Sequence, residues 1–237
     1  MIEKLRAAAT EYGILLSEEQ LAQFDCYYRL LLEWNEKMNL TAITEAGEVA
    51  VKHMVDSLTA YDEKLFFEGA SLLDVGTGAG FPGIPLKIFC PKLKLTLMDS
   101  LNKRVKFLQA VTEELGLKEV SCVHARAEEG ARNKAYREGF DIVTSRAVAR
   151  LPVLAEYCLP FVKKNGVFLA LKGMQFAEEA EEAKKAIRIL GGELAEIRSV
   201  KLPGLDDVRA VICIRKTGKT PKEYPRKAGT PAKKPIG

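Results

Sequence analysis

At 237 residues, with 47% apolar and 29% charged side chains, the chain has room for one α/β core plus a small appendage and the composition of a soluble globular protein. No apolar run reaches the roughly 20 residues needed to cross a bilayer, which argues against a membrane-spanning class. Five cysteines, odd in number and without a C-x-x-C pair, argue against a disulfide framework or a zinc site, and the net charge of +4 is unevenly spread.

Residues 1–50 carry 4 basic and 9 acidic side chains, a net of −5, whereas residues 217–237 carry 6 basic and 1 acidic, a net of +5. A basic tail on a nearly neutral body points to a polyanionic partner. The start Met1-Ile2-Glu3-Lys4 lacks the basic-then-apolar layout of a secretory leader, so a cytoplasmic location is expected.

In chain order, Ser17-Glu18-Glu19-Gln20 forms a capping-box pattern, and Leu21, Phe24, Tyr28 and Leu31 follow at helical spacing, predicting a helix over 17–36. Asn39-Leu40-Thr41 interrupts it. A second helix is expected from Ala46 to Leu58, with Val51, Met54, Val55 and Leu58 on its apolar face and His53, Asp56 and Ser57 on another. No strand pattern precedes about Ala70, so residues 1–60 are expected to form a helical cap.

From Ala70 onward strands and helices alternate. Strands are predicted near 70–75, 94–99, 119–123, 140–145, 166–171, 194–201 and 208–215, and helices near 83–90, 101–116, 151–162 and 175–190. That alternation indicates a parallel sheet covered on both faces. Between the last two strands lies only Leu202-Pro203-Gly204-Leu205-Asp206-Asp207, too short for a parallel crossover, so this pair must be an antiparallel hairpin. Seven strands with a final antiparallel hairpin is the architecture of class I (Rossmann-like) S-adenosylmethionine (SAM) methyltransferases. The division expected is a cap at 1–60, a SAM-binding domain at 61–216 and a basic tail at 217–237. That tail, with Pro221, Pro225, Pro231 and Pro235 and no apolar periodicity, is expected to be extended and mobile.

The chemistry centres on Leu72-Leu73-Asp74-Val75-Gly76-Thr77-Gly78-Ala79-Gly80-Phe81-Pro82-Gly83, a buried strand, a glycine-dense turn and a helix start. Gly78-x-Gly80-x-x-Gly83 fits a dinucleotide fingerprint, and Asp74-x-Gly76-x-Gly78-x-Gly80 fits a SAM turn. Asp99 serves as the ribose carboxylate in both readings. Asp74, the terminal hairpin and the absence of a second catalytic domain favour SAM.

The residues present weigh on the nucleophile type of the acceptor. A carbon-5 pyrimidine mechanism needs an activated cysteine, and all five cysteines fall in apolar segments. Amine methylation commonly uses an (Asp/Asn/Ser)-Pro-Pro-aromatic motif after the fourth strand, where this chain reads Thr144-Ser145-Arg146-Ala147-Val148. Arginine does not deprotonate, so it suits base or phosphate recognition rather than general-base work. A nucleophile that releases no proton, such as guanine N7, is consistent with such a site. Lys103, Arg104, Arg126, Arg146, Arg150 and Lys172 supply basic side chains near the strand ends. His124 has no partner at metal-ligand spacing, and no metal is expected.

An ordered set of segments resembles the bacterial 16S ribosomal RNA guanine-N7 methyltransferase family, also called glucose-inhibited division protein B (GidB, RsmG). The set is Trp34-Asn35 to Asn39-Leu40-Thr41, His53-Met54-Val55-Asp56-Ser57-Leu58, the glycine block through Leu86, Asp99-Ser100 with Lys103-Arg104, Ser145-Arg146-Ala147, Leu171-Lys172-Gly173 and Tyr224-Pro225-Arg226-Lys227. The resemblance implies methyl transfer from SAM, leaving S-adenosylhomocysteine, to N7 of a guanine in the 530 loop of 16S rRNA. It implies that Gly76, Gly78, Gly80 and Phe81 line the SAM pocket. Asp99 holds the ribose, Ser100 beside it is a further cofactor contact, Ala127 and Glu128 meet the adenine side, and Arg146 closes the site as a cofactor contact. Arg146 and Lys172 are the candidate catalytic residues. Lys103, Arg104, Arg126, Lys172 and Arg226 are the candidate RNA contacts. Naked rRNA, a small-subunit assembly intermediate or the mature subunit are equally admissible partners, and the chain is expected to act as a monomer without membrane contact. Removing 217–237 is expected to weaken RNA binding and leave SAM binding intact.

Overall fold

The computed structural model describes residues 1–237. The first helix, α1 (Ile2–Glu11), was not anticipated from periodicity; it packs Leu5, Ala8 and Ala9 inward. Helix α2 (Glu18–Met38) starts with the full capping box: the Ser17 hydroxyl accepts from Gln20 N and the Gln20 amide oxygen from Ser17 N. It ends at Asn39 in the left-handed conformation, φ 49°.

Residues 46–58 form one helical run, but not a uniform one. It is α-helical over α3 (Ala46–Val49), π-helical over Ala50–Val55 and α-helical again over α4 (Asp56–Leu58). In the π segment the Asp56 N–H bonds to Val51 O, one residue beyond its α-helical partner Lys52.

Seven strands follow: β1 (Ser71–Val75), β2 (Lys94–Asp99), β3 (Val120–His124), β4 (Phe140–Arg146), β5 (Val162–Lys172), β6 (Gly192–Lys201) and β7 (Val208–Lys216). The intervening helices are α5 (Gly83–Phe89), α6 (Asn102–Glu114), α7 (Ala127–Gly130), α8 (Leu151–Cys158) and α9 (Phe176–Ile189). The sheet order is β3-β2-β1-β4-β5-β7-β6. Its first five strands are parallel, and β7 runs antiparallel between β5 and β6. The chain order reverses direction between β1 and β4, and at such a switch point the loops leaving the strand ends diverge and open a crevice.

Alternation along each strand builds two cores. Leu72, Leu95, Leu97, Leu169 and Leu171 face one side, where the cap contributes Leu5, Phe24, Tyr27, Leu31 and Met54 to the same cluster. Leu73, Val75, Met98, Phe168 and Ala170 face the other, under α8 and α9. The cap thus joins α5 and α6 in one of the two layers on the sheet.

The tail departs from expectation. Instead of running free, residues 217–237 wrap back over the second core, bury Pro231 and Ile236, and close with a short helix, α10 (Thr230–Lys233). Low hydropathy was outweighed by backbone carbonyls that find arginine donors: Arg137 donates to Thr220 O, Pro221 O and Tyr224 O, and Arg132 to Pro225 O.

Candidate functional site

The glycine turn is held from both sides of the crevice. Beneath it, the Asp74 carboxylate, fully buried, accepts from Thr77 Oγ1 at 2.6 Å and Gly83 N at 2.9 Å through Oδ2, while Oδ1 has no partner. Burial pushes its pKa up to about 6, partly offset by those two donors. Gly76, Gly78 and Gly80 all take positive φ, at 67°, 62° and 99°. Gly80 could not be replaced: a Cβ there would lie 2.5 Å from Ile84 Cδ1 and 2.7 Å from Tyr27 Oη.

Above it, the cap grips the turn. The Tyr27 hydroxyl donates to Ala79 O, its ring packs 5.2 Å from Phe81, and the His53 ring stacks on Phe81 at 4.7 Å. The Arg146 guanidinium lies 5.0 Å from the same ring centroid. It donates to Asp56 Oδ2 at 2.6 Å and to the Lys52 carbonyl at 3.0 Å. Its Nη2 lies 3.4 Å from His53 Nδ1. Burial, reinforced by the Arg146 charge, lowers the His53 pKa to about 4, so the ring is neutral at physiological pH.

Two clefts flank this assembly, separated by the loop after β4. The first, about 270 Å³, is lined by Val75, Gly76, Met98, Asp99, Ser100, Ala125, Arg126, Ala127, Glu128, Val148, Tyr157, Gly229 and Ala232. Asp99 is 2% exposed, and its two oxygens accept from Gly78 N and Leu101 N, each at 2.9 Å. Oriented in this way, each oxygen keeps a further lone pair for a hydroxyl. Apolar walls around the fixed Asp99 carboxylate at a sheet switch point fit an adenosine-bearing ligand such as SAM.

The second cleft, about 410 Å³, is lined by Ile43, Lys52, His53, Asp56, Thr59, Arg146, Ala147, Leu171, Lys172, Gly173, Met174, Val200, Asp207, Arg209 and Ala210. Four basic side chains (Lys52, Arg146, Lys172, Arg209) against two acidic ones (Asp56, Asp207) leave it positive. Arg209 reaches Asp56 Oδ1 at 3.4 Å, and its Nε is buried without a partner. Ala147, at φ 57°, faces this cleft, while Val148 beside it faces the first and packs on Gly76.

The sequence-derived site therefore divides. Gly76, Asp99, Ser100, Arg126, Ala127 and Glu128 meet at the first cleft; Arg146 and Lys172 meet at the second. Gly78 points its N–H at Asp99. Gly80 and Phe81, expected to line the SAM pocket, line neither cleft; Tyr27 packs against both, and His53 stacks on Phe81. Lys172 is paired with Glu179 at 2.7 Å and donates to Ala149 O at 2.8 Å, both side chains 9% exposed. Arg104 stands 3.5 Å from Asp99, whereas Lys103 and Arg126 are exposed. Arg226, expected to face RNA, forks onto Glu156, whose side chain is 1% exposed, with Nε to Oε1 at 3.0 Å and Nη2 to Oε2 at 2.7 Å. The Glu128 carboxylate is taken by Gly229 N at 2.9 Å, so a tail residue stands at the adenine side.

Sequence reasoning missed Tyr27, Val148, Tyr157, Arg209, Gly229 and Ala232. Only Arg209 left a usable signal. An antiparallel final strand starts where the parallel strands end, and Ala210 pairs with Lys172, so the first residues of β7 had to reach the same edge.

The profile of the family described as GidB, rRNA small subunit methyltransferase G, matches residues 20–207. Among curated relatives, ribosomal RNA small subunit methyltransferase G of Geobacillus thermodenitrificans is 54% identical over 233 residues, 98% of each chain. The proteins of that name from Bacillus velezensis and Alkaliphilus metalliredigens are 53% identical over 99% and 52% identical over 98% of this chain, covering 98% and 97% of their own. Among solved structures, a SAM-dependent methyltransferase from Aquifex aeolicus aligns over 74% of this chain and 96% of its own, with TM-score 0.54 at 17% identity. Aeropyrum pernix fibrillarin, solved with natively bound S-adenosyl-L-methionine, aligns over 68% and 73%, with TM-score 0.52 at 15% identity. These two likenesses bear on the fold alone, which is that of the class I methyltransferases. The relatives match over almost the full length, and the chain belongs to the GidB family, rRNA small subunit methyltransferase G.

Proposed function

We propose that the chain transfers a methyl group from SAM to N7 of a guanine in the 530 loop of 16S rRNA, releasing S-adenosylhomocysteine. The observation that carries this reading is the pair of clefts at the switch point: a carboxylate-bearing apolar cleft and a positive cleft that meet across the Arg146–Val148 loop. In the first, Gly76, Gly78, Asp99, Ser100, Ala127 and the backbone of Glu128 are assigned to SAM, which when bound supplies an electrophilic sulfonium methyl.

In the second cleft the chain's own residues orient the acceptor. Arg146 is held in place by Asp56, Lys52 O and Phe81, and Arg209 lines the same cleft; planar guanidinium forks suit a base edge or a phosphate. No group there is fitted to remove a proton at neutral pH. His53 is neutral with a pKa near 4, which makes it a weak base, Asp56 is tied to two arginines, and Asp207, half-exposed to solvent, pairs with Arg209 at 3.7 Å. Attack by the in-plane lone pair of guanine N7 needs no deprotonation, because the S–CH₃ bond breaks as the N–CH₃ bond forms and the positive charge moves to the purine. Positioning alone can contribute roughly 7–11 kcal/mol toward such a reaction. Arg146 and Lys172 are the residues assigned to the acceptor, with Lys103 and Arg126 as exposed phosphate contacts.

The family supports a small-subunit rRNA substrate, and the positive cleft supports a polyanion. The chain acts as a monomer in this reading. The test is transfer of labelled methyl from SAM to small subunits, to assembly intermediates and to naked 16S rRNA from cells lacking the modification, followed by cleavage at N7-methylguanine. Strand scission in the 530 loop is the expected result; label on a pyrimidine or an exocyclic amine would overturn the mechanism.

A further inference from the structure

The C-terminal segment is fastened to the body at successive points. Arg226 forks onto buried Glu156 and also donates its backbone N–H to Glu156 Oε1 at 2.7 Å. Three residues on, Gly229 turns the chain at φ 80° and donates its N–H to Glu128 Oε1. The short helix that follows buries Pro231 and sets Ala232, exposed to solvent, at the mouth of the cleft that holds Asp99. Glu128 is itself a lining residue of that cleft, buried to 5% exposure, on the step assigned to the adenine side.

From this we infer that residues 228–233 form a wall of the SAM cleft, a hook latched by Glu128 that encloses the adenosine end of the ligand. The inference rests on the assignment of that cleft to SAM, and it reverses the expectation that the tail can be removed without affecting SAM. A segment rich in Lys and Pro is held in place here, with Pro231 buried and Ile236 anchored in the second core. The Glu128 carboxylate then acts on the wall and not on the ligand. Loss of its negative charge weakens the latch at Gly229 N while leaving the Ala127–Glu128 backbone in place.

Calorimetric titration with S-adenosylhomocysteine tests this on the full chain, on a chain ending at Lys227 that keeps the Arg226–Glu156 pair, and on Ala232→Trp. The tryptophan replaces an exposed side chain, so thermal unfolding of the ligand-free variant should match the wild type, while its ring fills the cleft mouth. Both variants should bind S-adenosylhomocysteine at least tenfold more weakly. In the full chain, amide exchange at residues 229–233 should slow when S-adenosylhomocysteine is added. If the full chain binds S-adenosylhomocysteine and both variants bind it equally well, the wall is refuted and the functional reading survives. If the full chain itself does not bind, the assignment of the cleft fails, and the wall with it.

Discussion

Arg146 joins the cap to the sheet through Asp56, the Lys52 carbonyl and the Phe81 ring, and it does so next to a neutral His53. Replacing it with alanine leaves Asp56, 4% exposed, with only Arg209 at 3.4 Å. Stranding a buried carboxylate in this way should cost about 3 kcal/mol, read as a lower midpoint in urea, together with loss of methyl transfer. Arg146→Lys restores the charge without the fork and should recover part of the stability but little of the rate. His53 gives a pH signature. Its folded pKa, about 4, lies below the usual 6.5, so its contribution is complete above about pH 6.5 and is lost as pH falls toward 4. The ceiling is on the order of 3 kcal/mol. Asp74 works in the opposite sense, since its raised pKa favours the folded state when protonated and that contribution is lost as pH rises through about 6. Comparing wild type with His53→Gln cancels Asp74: the variant should lose less stability than the wild type between pH 7 and pH 5. Equal losses would show that His53 is not held neutral. At this scale the positions of Asp74 under the turn and of Gly76 and Asp99 at the cleft were legible because the glycine motif and the end of the next strand mark them in the sequence. Tyr27, Val148 and Ala232 were not, because they meet the site only after distant segments pack.

The turn between β1 and α5 depends on an element far from it in sequence. Helix α2 delivers Tyr27, fully buried, to the carbonyl of Ala79, and no local pattern around Tyr27 announces this. Tyr27→Phe keeps the ring packing on Phe81 and removes only the hydroxyl. It should cost about 1–2 kcal/mol in thermal or urea unfolding and weaken S-adenosylhomocysteine binding severalfold, because a buried carbonyl loses its donor and the turn loosens. Element boundaries followed how local their causes are. The α2 start was legible from its capping box, and the β6–β7 hairpin from a connection too short for a crossover. The π segment at Ala50–Val55 was not legible, since a single widened turn has no compositional mark; its register leaves the Lys52 carbonyl to Arg146. Strand β5 begins at Val162, earlier than expected near 166, because the polar Lys163-Lys164-Asn165 stretch is exposed at the sheet end and does not look like a strand.

Across the whole molecule, charge and burial separate residues that composition alone groups together. The tail carries a net +5, yet Arg226 is consumed by Glu156, whereas Lys103 stands free at the start of α6. Each phosphate contact contributes roughly 0.7–0.9 to the slope of log binding constant against log salt. Lys103→Ala should therefore flatten the salt slope for 16S rRNA by nearly one such increment. Arg226→Ala should leave that slope unchanged and instead speed amide exchange across residues 220–233; a flattened slope there would return Arg226 to the RNA face. Sequence indicated the polyanionic partner and hid the tail's structural work, because the groups that capture it, Arg132, Arg137, Glu128 and Glu156, are spread over α7, α8 and the loop between α7 and β4.

The central claim is methyl transfer to guanine N7 without a general base, and the single-turnover rate as a function of pH tests it most directly. Measured on the full enzyme with saturating SAM and unmethylated small subunits, the rate should change less than twofold between pH 7 and pH 9, because the acceptor cleft holds no group fitted to take a proton over that range. A rate that climbs about tenfold per pH unit would mean that a proton must leave the acceptor before the methyl arrives, and would contradict the assignment.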